Sequence, residues 1–260
     1  MSNGLVSIIM LSLNKGQYVA ESVRSVLAQT YTNWELLFID DASKDSTIRQ
    51  LMELKDEIGK TMASKIRILQ TVDLRGKTRN RNSALKAAQG RWIAFLDAGD
   101  VWAPDKLAKQ IAFMEENGYA CSYTCYGIMD GASRDRGIVV SGKAHIDHKE
   151  MLKCCWPAYL TVMYDADKVG RMCVRTCQHN DYALWLNVTD RNDFYLLPEK
   201  LAMLRTKWGF MGRILLTNKA KWRYDAYRID EDLGPVKSFF YTLRNGFYGL
   251  VKWFRYVQRA

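Results

Sequence analysis

The stretch Arg91-Trp92-Ile93-Ala94-Phe95-Leu96-Asp97-Ala98-Gly99-Asp100-Val101-Trp102 decides the fold. Ile93 to Leu96 is an unbroken apolar run after Gly90, the pattern of a strand buried on both faces. Such a strand cannot carry an unpaired carboxylate in its middle, because burying a lone charge costs too much. It can carry one at its carboxyl end, where an open α/β sheet meets solvent and binds ligands. Gly99 allows a sharp turn there. Asp97 and Asp100 then face a cleft, spaced to share a hard cation or a polar ligand. The competing reading is a plain Asp turn that ends a strand.

Working outward, Leu5 to Leu11 reads as a first buried strand and Trp34 to Ile39 as a second, which stops at Asp40-Asp41. Lys65 to Leu69 alternates as a third strand. Helical periods occupy Tyr18 to Gln29 and Thr47 to Ile58, and Ser83 to Ala88 forms a short helix ending at Gly90. Arg75 to Asn82 reads as a strongly basic loop. Strand and helix alternate through the first hundred residues, which predicts a parallel sheet with right-handed crossovers. The ends of three strands, at Ser12, Asp40/Asp41 and Asp97/Asp100, then share one sheet edge with the basic loop between them. That edge suits a ligand with a base or ribose on one side and a diphosphate on the other. It does not suit a Rossmann dinucleotide, because no G-x-G-x-x-G follows the first strand.

Beyond Trp102 the pattern changes. Pro104 opens a helix that ends near Gly118, and Tyr119 to Met129 is aromatic and β-prone. Gly131 to Gly142 reads as a polar surface loop, Trp156 to Tyr164 as a strand, and Asn180 to Leu186 as a capped apolar helix. Asp193 to Leu197 is a late strand, with Glu199 to Arg205 continuing it. The divisions expected are residues 1–110 with the alternating strands and helices, 111–207 with the later mixed elements, and 208–260 for a basic aromatic tail. From Val236 the tail carries Lys237, Arg244, Lys252, Arg255 and Arg259 and no acidic residue. Phe239, Phe240, Leu243, Phe247, Leu250, Val251 and Phe254 recur in it at helical spacing. A basic aromatic helix of this kind either lies in a membrane interface or packs on its own core.

The chain has 260 residues, 48% hydrophobic, with a net charge of +10. That composition describes a globular protein with anionic partners. No signal peptide and no bilayer-length apolar run is apparent, so a cytoplasmic protein is expected. The six cysteines lack tight C-x-x-C knuckles and read as free thiols rather than zinc ligands. Nucleic acid is not expected as a partner, because the acidic strand ends would repel phosphates. The oligomeric state is left open.

Taken together, the chain resembles a family 2 inverting glycosyltransferase with the GT-A fold, of the bacterial surface-polysaccharide type. The resemblance rests on Val6 to Lys15, Ser22 to Tyr31, Glu35 to Asp45, Arg81-Asn82, Gly90 to Trp102 with Pro104 to Leu107, and Asn180 to Leu186. It covers roughly residues 5 to 205 and implies an α/β fold, a Rossmann-like, mostly parallel sheet flanked by helices. By that resemblance Asp41 accepts from the base imide with Asp40 beside it, and the backbone of Leu11 and Ser12 flanks the base. Arg81 neutralises the diphosphate, assisted by Lys77 or Arg79. Asp97 binds the nucleotide and shares a divalent cation, Mg or Mn, with Asp100.

The chain departs from the family's pattern in places. Leu13 stands where many relatives carry Tyr, and Asn180 where Glu is common. Gly99 occupies the third position of the family's Asp-x-Asp metal motif. The ion is therefore held by Asp97 and Asp100, or chiefly by diphosphate and water, or weakly. Asp181 matches the catalytic base, which takes the acceptor hydroxyl's proton; a helix cap is its alternative reading, and the two are compatible. The activity implied is transfer of a hexose-type sugar from a UDP-sugar to a glycan acceptor, possibly lipid-linked, at the inner face of the plasma membrane. The alternative is a nucleotide-sugar-binding protein without turnover.

Overall fold

A computed structural model describes residues 4–69, 77–173, 181–206 and 219–259. In chain order the first half comprises β1 (Val6–Ser12), α1 (Val19–Leu27), β2 (Trp34–Asp40), α2 (Thr47–Glu57), α3 (Gly59–Ala63), β3 (Ile66–Leu69), α4 (Lys77–Ala87), β4 (Trp92–Phe95), β5 (Val101–Trp102) and α5 (Lys106–Asn117). The second half comprises β6 (Cys121–Met129), β7 (Asp135–Val140), β8 (His145–Ile146), α6 (His148–Met151), a 3-10 turn (Tyr159–Thr161), β9 (Met163–Asp165), α7 (Ala166–Val169), α8 (Asp181–Thr189) and β10 (Phe194–Arg205). The tail follows with α9 (Lys219–Asp225), a π turn (Ala226–Asp230), α10 (Pro235–Tyr256) and β11 (Val257–Arg259).

The strands form one sheet in the order β11-β7-β6-β9-β4-β1-β2-β3, with β10 paired to β5, β6 and β8. The first four, β3-β2-β1-β4, run parallel, as their apolar runs require for strands covered on both faces. Every residue of β1 is buried. One apolar layer gathers Val6, Ile8 and Met10 with Val19, Val23, Leu51 and Leu54 of the helices. The opposite layer gathers Ile9 and Leu11 with Ala84, Leu85 and the residues of α8.

Register fixes the functional edge. Ser12 pairs with Asp40 and Leu11 with Ile39, while Ile9 lies beside Phe95. The ladder then runs out into the loops, with Asp41 N–H donating to Ser12 O at 2.8 Å and Ala98 N–H to Leu11 O at 2.9 Å. The ends of three strands therefore meet within one turn of backbone.

Several expectations are corrected. The basic stretch 75–82 is not all loop: α4 begins at Lys77, so Asn80 and Arg81 are helical. The polar segment 131–142 contains β7, which pairs with both β6 and β11. Its apolar residues Ile138 to Val140 are too few to announce a strand unless the partners are known. Trp156 to Tyr164 is a 3-10 turn followed by the short β9 rather than one strand. The late strand segments merge into β10, whose register against β6 shifts between Leu197 and Lys200, at Pro198, which has no N–H to give the ladder. Cys121 and Cys125 lie on the buried strand β6, and the described cysteines are free thiols, as expected. Cys177 lies outside the described residues.

Candidate active site

The cleft opens at the carboxyl ends of β1, β2 and β4, and Leu11, Ser12, Asp41, Asp97 and Asp100 all line it. Its floor is the Asp97–Asp100 turn, closed by Asp100 N–H donating to Asp97 O at 3.1 Å. Gly99 holds φ at +114°, a conformation that disfavours any side chain. Its N–H donates to Ser22 Oγ at 2.8 Å, which pins the turn to α1.

Where the second carboxylate of an Asp-x-Asp motif, at its third position, would project, the structure places a cation. A Cβ built on Gly99 would meet Lys15 Nζ at 3.6 Å. The loop carrying Lys15 is bound down on three successive residues. Asn14 N–H donates to Ser43 Oγ, Lys15 N–H to Thr47 Oγ1 at 2.8 Å, and Gly16 N–H to Asp45 Oδ2 at 2.9 Å. Thr47's hydroxyl and Gly16's N–H hold the Asp45 carboxyl below the usual carboxylate range.

The Arg205 side chain, at the end of β10, is 4% exposed and binds the other side of the turn. Its backbone N–H donates to Asp100 Oδ1 at 2.8 Å, and its guanidinium donates to Gly99 O at 2.6 Å and to Glu21. The same guanidinium stacks over Tyr18 at 4.4 Å. One side chain thus locks the turn to α1 and to the β6–β7 hairpin.

The far wall is α4. Asn80 Nδ2–H donates to Asp41 Oδ1 at 2.8 Å. The next residue, Arg81, is 1% exposed and ion-paired to Asp181, the first residue of α8. Its Nε–H donates to Tyr159 Oη at 3.2 Å, and the guanidinium lies 4.5 Å from that ring's centre. Burial alone would lower the Arg81 pKa; the charge of Asp181, with Tyr159 and Asp97, reverses this and raises it. Two adjacent residues of one helix therefore connect the cleft carboxylate Asp41 to the distant Asp181. The Asp181 side chain is 41% exposed, so it remains open to solvent.

The expected site residues divide accordingly. Leu11, Ser12, Asp41, Asp97 and Asp100 converge on the cleft. Asp40 turns into its own loop instead, accepting from Ser43 N–H at 2.8 Å and from the Ser43 hydroxyl. Arg81 sits behind the cleft, beside Asp181. Arg79 is exposed on α4, and Lys77 opens that helix with a side chain outside those described. Asn180 also lies outside the described residues. Sequence reasoning missed Lys15, Asn80, Tyr159 and Arg205. Lys15 follows the first strand and had a positional signal; the other three act through partners far away in sequence.

The described residues also bring His148, Asp190 and Glu231 together. Both ring nitrogens of His148 are engaged, Nδ1 with Thr189 Oγ1 at 3.1 Å and Nε2 with Glu231 at 3.1 Å. A histidine held from both sides is bridging carboxylates, and the cleft's own carboxylates are a separate set.

A Rossmann-like sheet with acidic strand ends, a carboxylate turn and a further carboxylate at a helix start defines a GT-A type glycosyltransferase. Residues 7–152 match the profile of Glycosyl transferase family 2, and the chain belongs to that family. It is 33% identical over 254 residues to WfgD of Escherichia coli, UDP-Glc:alpha-D-GlcNAc-diphosphoundecaprenol beta-1,3-glucosyltransferase, covering 97% of this chain and 96% of that protein. Among solved structures it resembles S. aureus TarS 1-349 in complex with UDP-GlcNAc, with a TM-score of 0.66 at 15% identity over 96% of this chain and 72% of that one. It also resembles the mannosyltransferase PcManGT of Pyrobaculum calidifontis in complex with GDP-Man and Mn2+, with a TM-score of 0.65 at 14% identity over 95% of this chain and 70% of that one.

Proposed function

We propose that this glycosyltransferase moves a hexose from a UDP-sugar to a lipid-linked diphosphate glycan, with inversion at the anomeric carbon. The observation that carries this reading is the convergence of Asp41, Asp97 and Asp100 on one cleft that Asn80 and Arg81 tie to Asp181. The glucosyltransferase name of WfgD supports both the donor and the acceptor class.

In this reading Asp41 accepts from the imide N–H of the base, held in place by Asn80. The backbone of Leu11 and Ser12 flanks the base, and Leu13 gives it an apolar contact in place of a stacked ring. Lys15 approaches the diphosphate from the Gly99 side. Asp181 accepts the acceptor hydroxyl's proton as its oxygen attacks the anomeric carbon; the sugar–phosphate bond breaks and UDP leaves. Arg81 orients Asp181 and adds positive potential behind the reacting centre. Asp97 and Asp100 are hard oxygen donors, the chemistry Mg or Mn selects, and they would hold that ion. When bound, it would neutralise charge on the departing diphosphate. The functional divisions are residues 1–110 for the donor, 111–207 for acceptor and base, and 208–260 for attachment.

Attachment to the inner face of the plasma membrane is supported by α10. Phe239, Phe240, Leu243, Phe247, Leu250 and Phe254 are each more than half exposed along one face of it. Its opposite face packs inward, with Ser238 and Asn245 fully buried. Arg244 and Lys252, expected to meet lipid headgroups, turn inward and donate to the carbonyls of Leu152, Cys155 and Trp156. The helix therefore docks on its own core and still presents an apolar stripe, with Lys237, Arg255 and Arg259 left exposed to face anionic lipid. None of the described helices is long and apolar enough to cross a bilayer.

A thermal-shift panel of UDP, GDP and CDP with and without Mn2+ tests the donor side. UDP with Mn2+ is expected to give the largest rise in Tm, and Asp41→Ala to abolish it. An equal response to all three diphosphates would remove Asp41 from base recognition.

A further inference from the structure

The helix that begins with Asp181 is held at both ends by the C-terminal segment. Tyr182 to Leu186, Val188 and Thr189 are all buried, so α8 is packed along nearly its whole length. Near its start, Tyr182 Oη donates to Met151 O at 2.7 Å and lies 2.8 Å from Tyr227 Oη. Tyr227 is 0% exposed and belongs to the π turn of the tail. Its own hydroxyl also reaches Leu152 O at 2.8 Å. Two phenolic hydrogens are shared among these three contacts, so at any moment one of the two carbonyls or the Oη–Oη contact goes without a hydrogen, and the buried Asn245 of α10 donates into the set from Nδ2 to Tyr227 Oη at 3.1 Å. At the far end of α8, His148 bridges Thr189 and Asp190 to Glu231, just after the π turn. The hydrogen bond that His148 donates to Glu231 raises the histidine's pKa against the lowering effect of burial, which favours the charged bridge.

We propose that Tyr227, Asn245 and Glu231 of the tail are positioning residues for Asp181, so that the C-terminal segment is part of the catalytic apparatus and not only an attachment device. The inference rests on reading Asp181 as the base. A base must lie within hydrogen-bond reach of its substrate proton, and a displacement of about 1 Å can cost on the order of a hundredfold in rate. Arg81 fixes the Asp181 carboxylate from the donor side. The Asn245–Tyr227–Tyr182 set fixes the backbone on which that carboxylate stands. Donor binding uses none of these groups.

The test uses the full chain with Tyr227→Phe, Asn245→Leu and Glu231→Gln, assayed for UDP release with a UDP-sugar and a synthetic GlcNAc-diphosphate lipid in detergent. Tyr227→Phe removes one hydroxyl and keeps the ring, so it reports even if Asn245→Leu fails to fold. Expected is a fall in kcat of about tenfold or more for Tyr227→Phe, with KM for the donor and the calorimetric Kd for UDP unchanged. Combining it with Asp181→Asn should add little to the loss from Asp181→Asn alone. An unaltered kcat in folded Tyr227→Phe, or a loss that merely tracks a lowered Tm, overturns the proposal. Full activity of Asp181→Asn would instead defeat the reading of the base itself, whatever the tail variants do.

Discussion

Arg81 and Asp181 stand one hundred positions apart in sequence and form an ion pair in which the guanidinium is 1% exposed and the carboxylate 41%. The asymmetry sets the energetics. Removing the carboxylate strands a buried cation, whereas removing the cation leaves a carboxylate that water can reach.

Asp181→Ala is therefore expected to lose stability, by about 3 kcal/mol. Asp181→Asn should lose less, because its amide oxygen still accepts from the guanidinium. Chemical denaturation of the two variants checks the difference. Equal stability would mean that Arg81 does not depend on this partner.

The Asp97–Asp100 turn should respond to its two locks in different ways. Gly99→Ala forces a side chain into a φ of +114° and is expected to cost about 1–2 kcal/mol through strain, since its Cβ meets only Lys15 at ordinary contact distance. Arg205→Lys keeps the charge but loses the fork that reaches both Gly99 O and Glu21. A rise in donor KM of roughly tenfold, about 1.4 kcal/mol, is expected for Arg205→Lys. Steady-state kinetics at saturating acceptor measures it, and an unchanged KM would show that the turn holds its shape without the guanidinium.

How much of this was legible in the sequence depends on how local the cause was. The parallel strands announced themselves because Val6 to Leu11 and Trp34 to Ile39 are apolar throughout, and only burial on both faces explains that. Asp97 and Asp100 were legible because a buried strand must place its carboxylates beyond its end. Arg81 was legible as part of a basic stretch but not in its surroundings: such a stretch reads as solvated unless its neighbours across the fold, Asp181 and Tyr159 for Arg81, are known. The tail's helical period was legible, but not which face points inward. Ser238 and Asn245 are polar yet buried, and the phenylalanines are apolar yet exposed, which reverses the usual rule for an amphipathic helix on a core.

Lys106 offers a pH test independent of the site. It is fully buried, donates to Gln110 Oε1 at 2.7 Å and lies 4.4 Å from the Trp102 ring centre. Burial lowers its pKa from 10.5 to about 7. Between those values the unfolded chain binds the proton and the folded one does not, so this group makes stability rise with pH through that window. Lys106→Met is expected to abolish that contribution, up to about 1.4 kcal/mol per pH unit. Urea denaturation of both proteins at pH 7 and pH 9 checks it; parallel pH dependence would place the proton on Lys106 in both states.

The stripe on α10 predicts membrane behaviour. Phe247→Glu with Phe254→Glu should abolish flotation with vesicles containing anionic lipid and leave Tm within a few degrees, since both side chains are exposed at 62% and 75%. Unchanged flotation would move the attachment surface elsewhere.

The most direct measurement is the rate of UDP release by Asp181→Asn beside its calorimetric affinity for UDP, compared with the unaltered protein. One cleft with the donor on Asp41 and Asp97 and the base on Asp181 predicts turnover at least a thousandfold slower, about 4 kcal/mol, with UDP Kd within twofold. Turnover near that of the unaltered protein would contradict it.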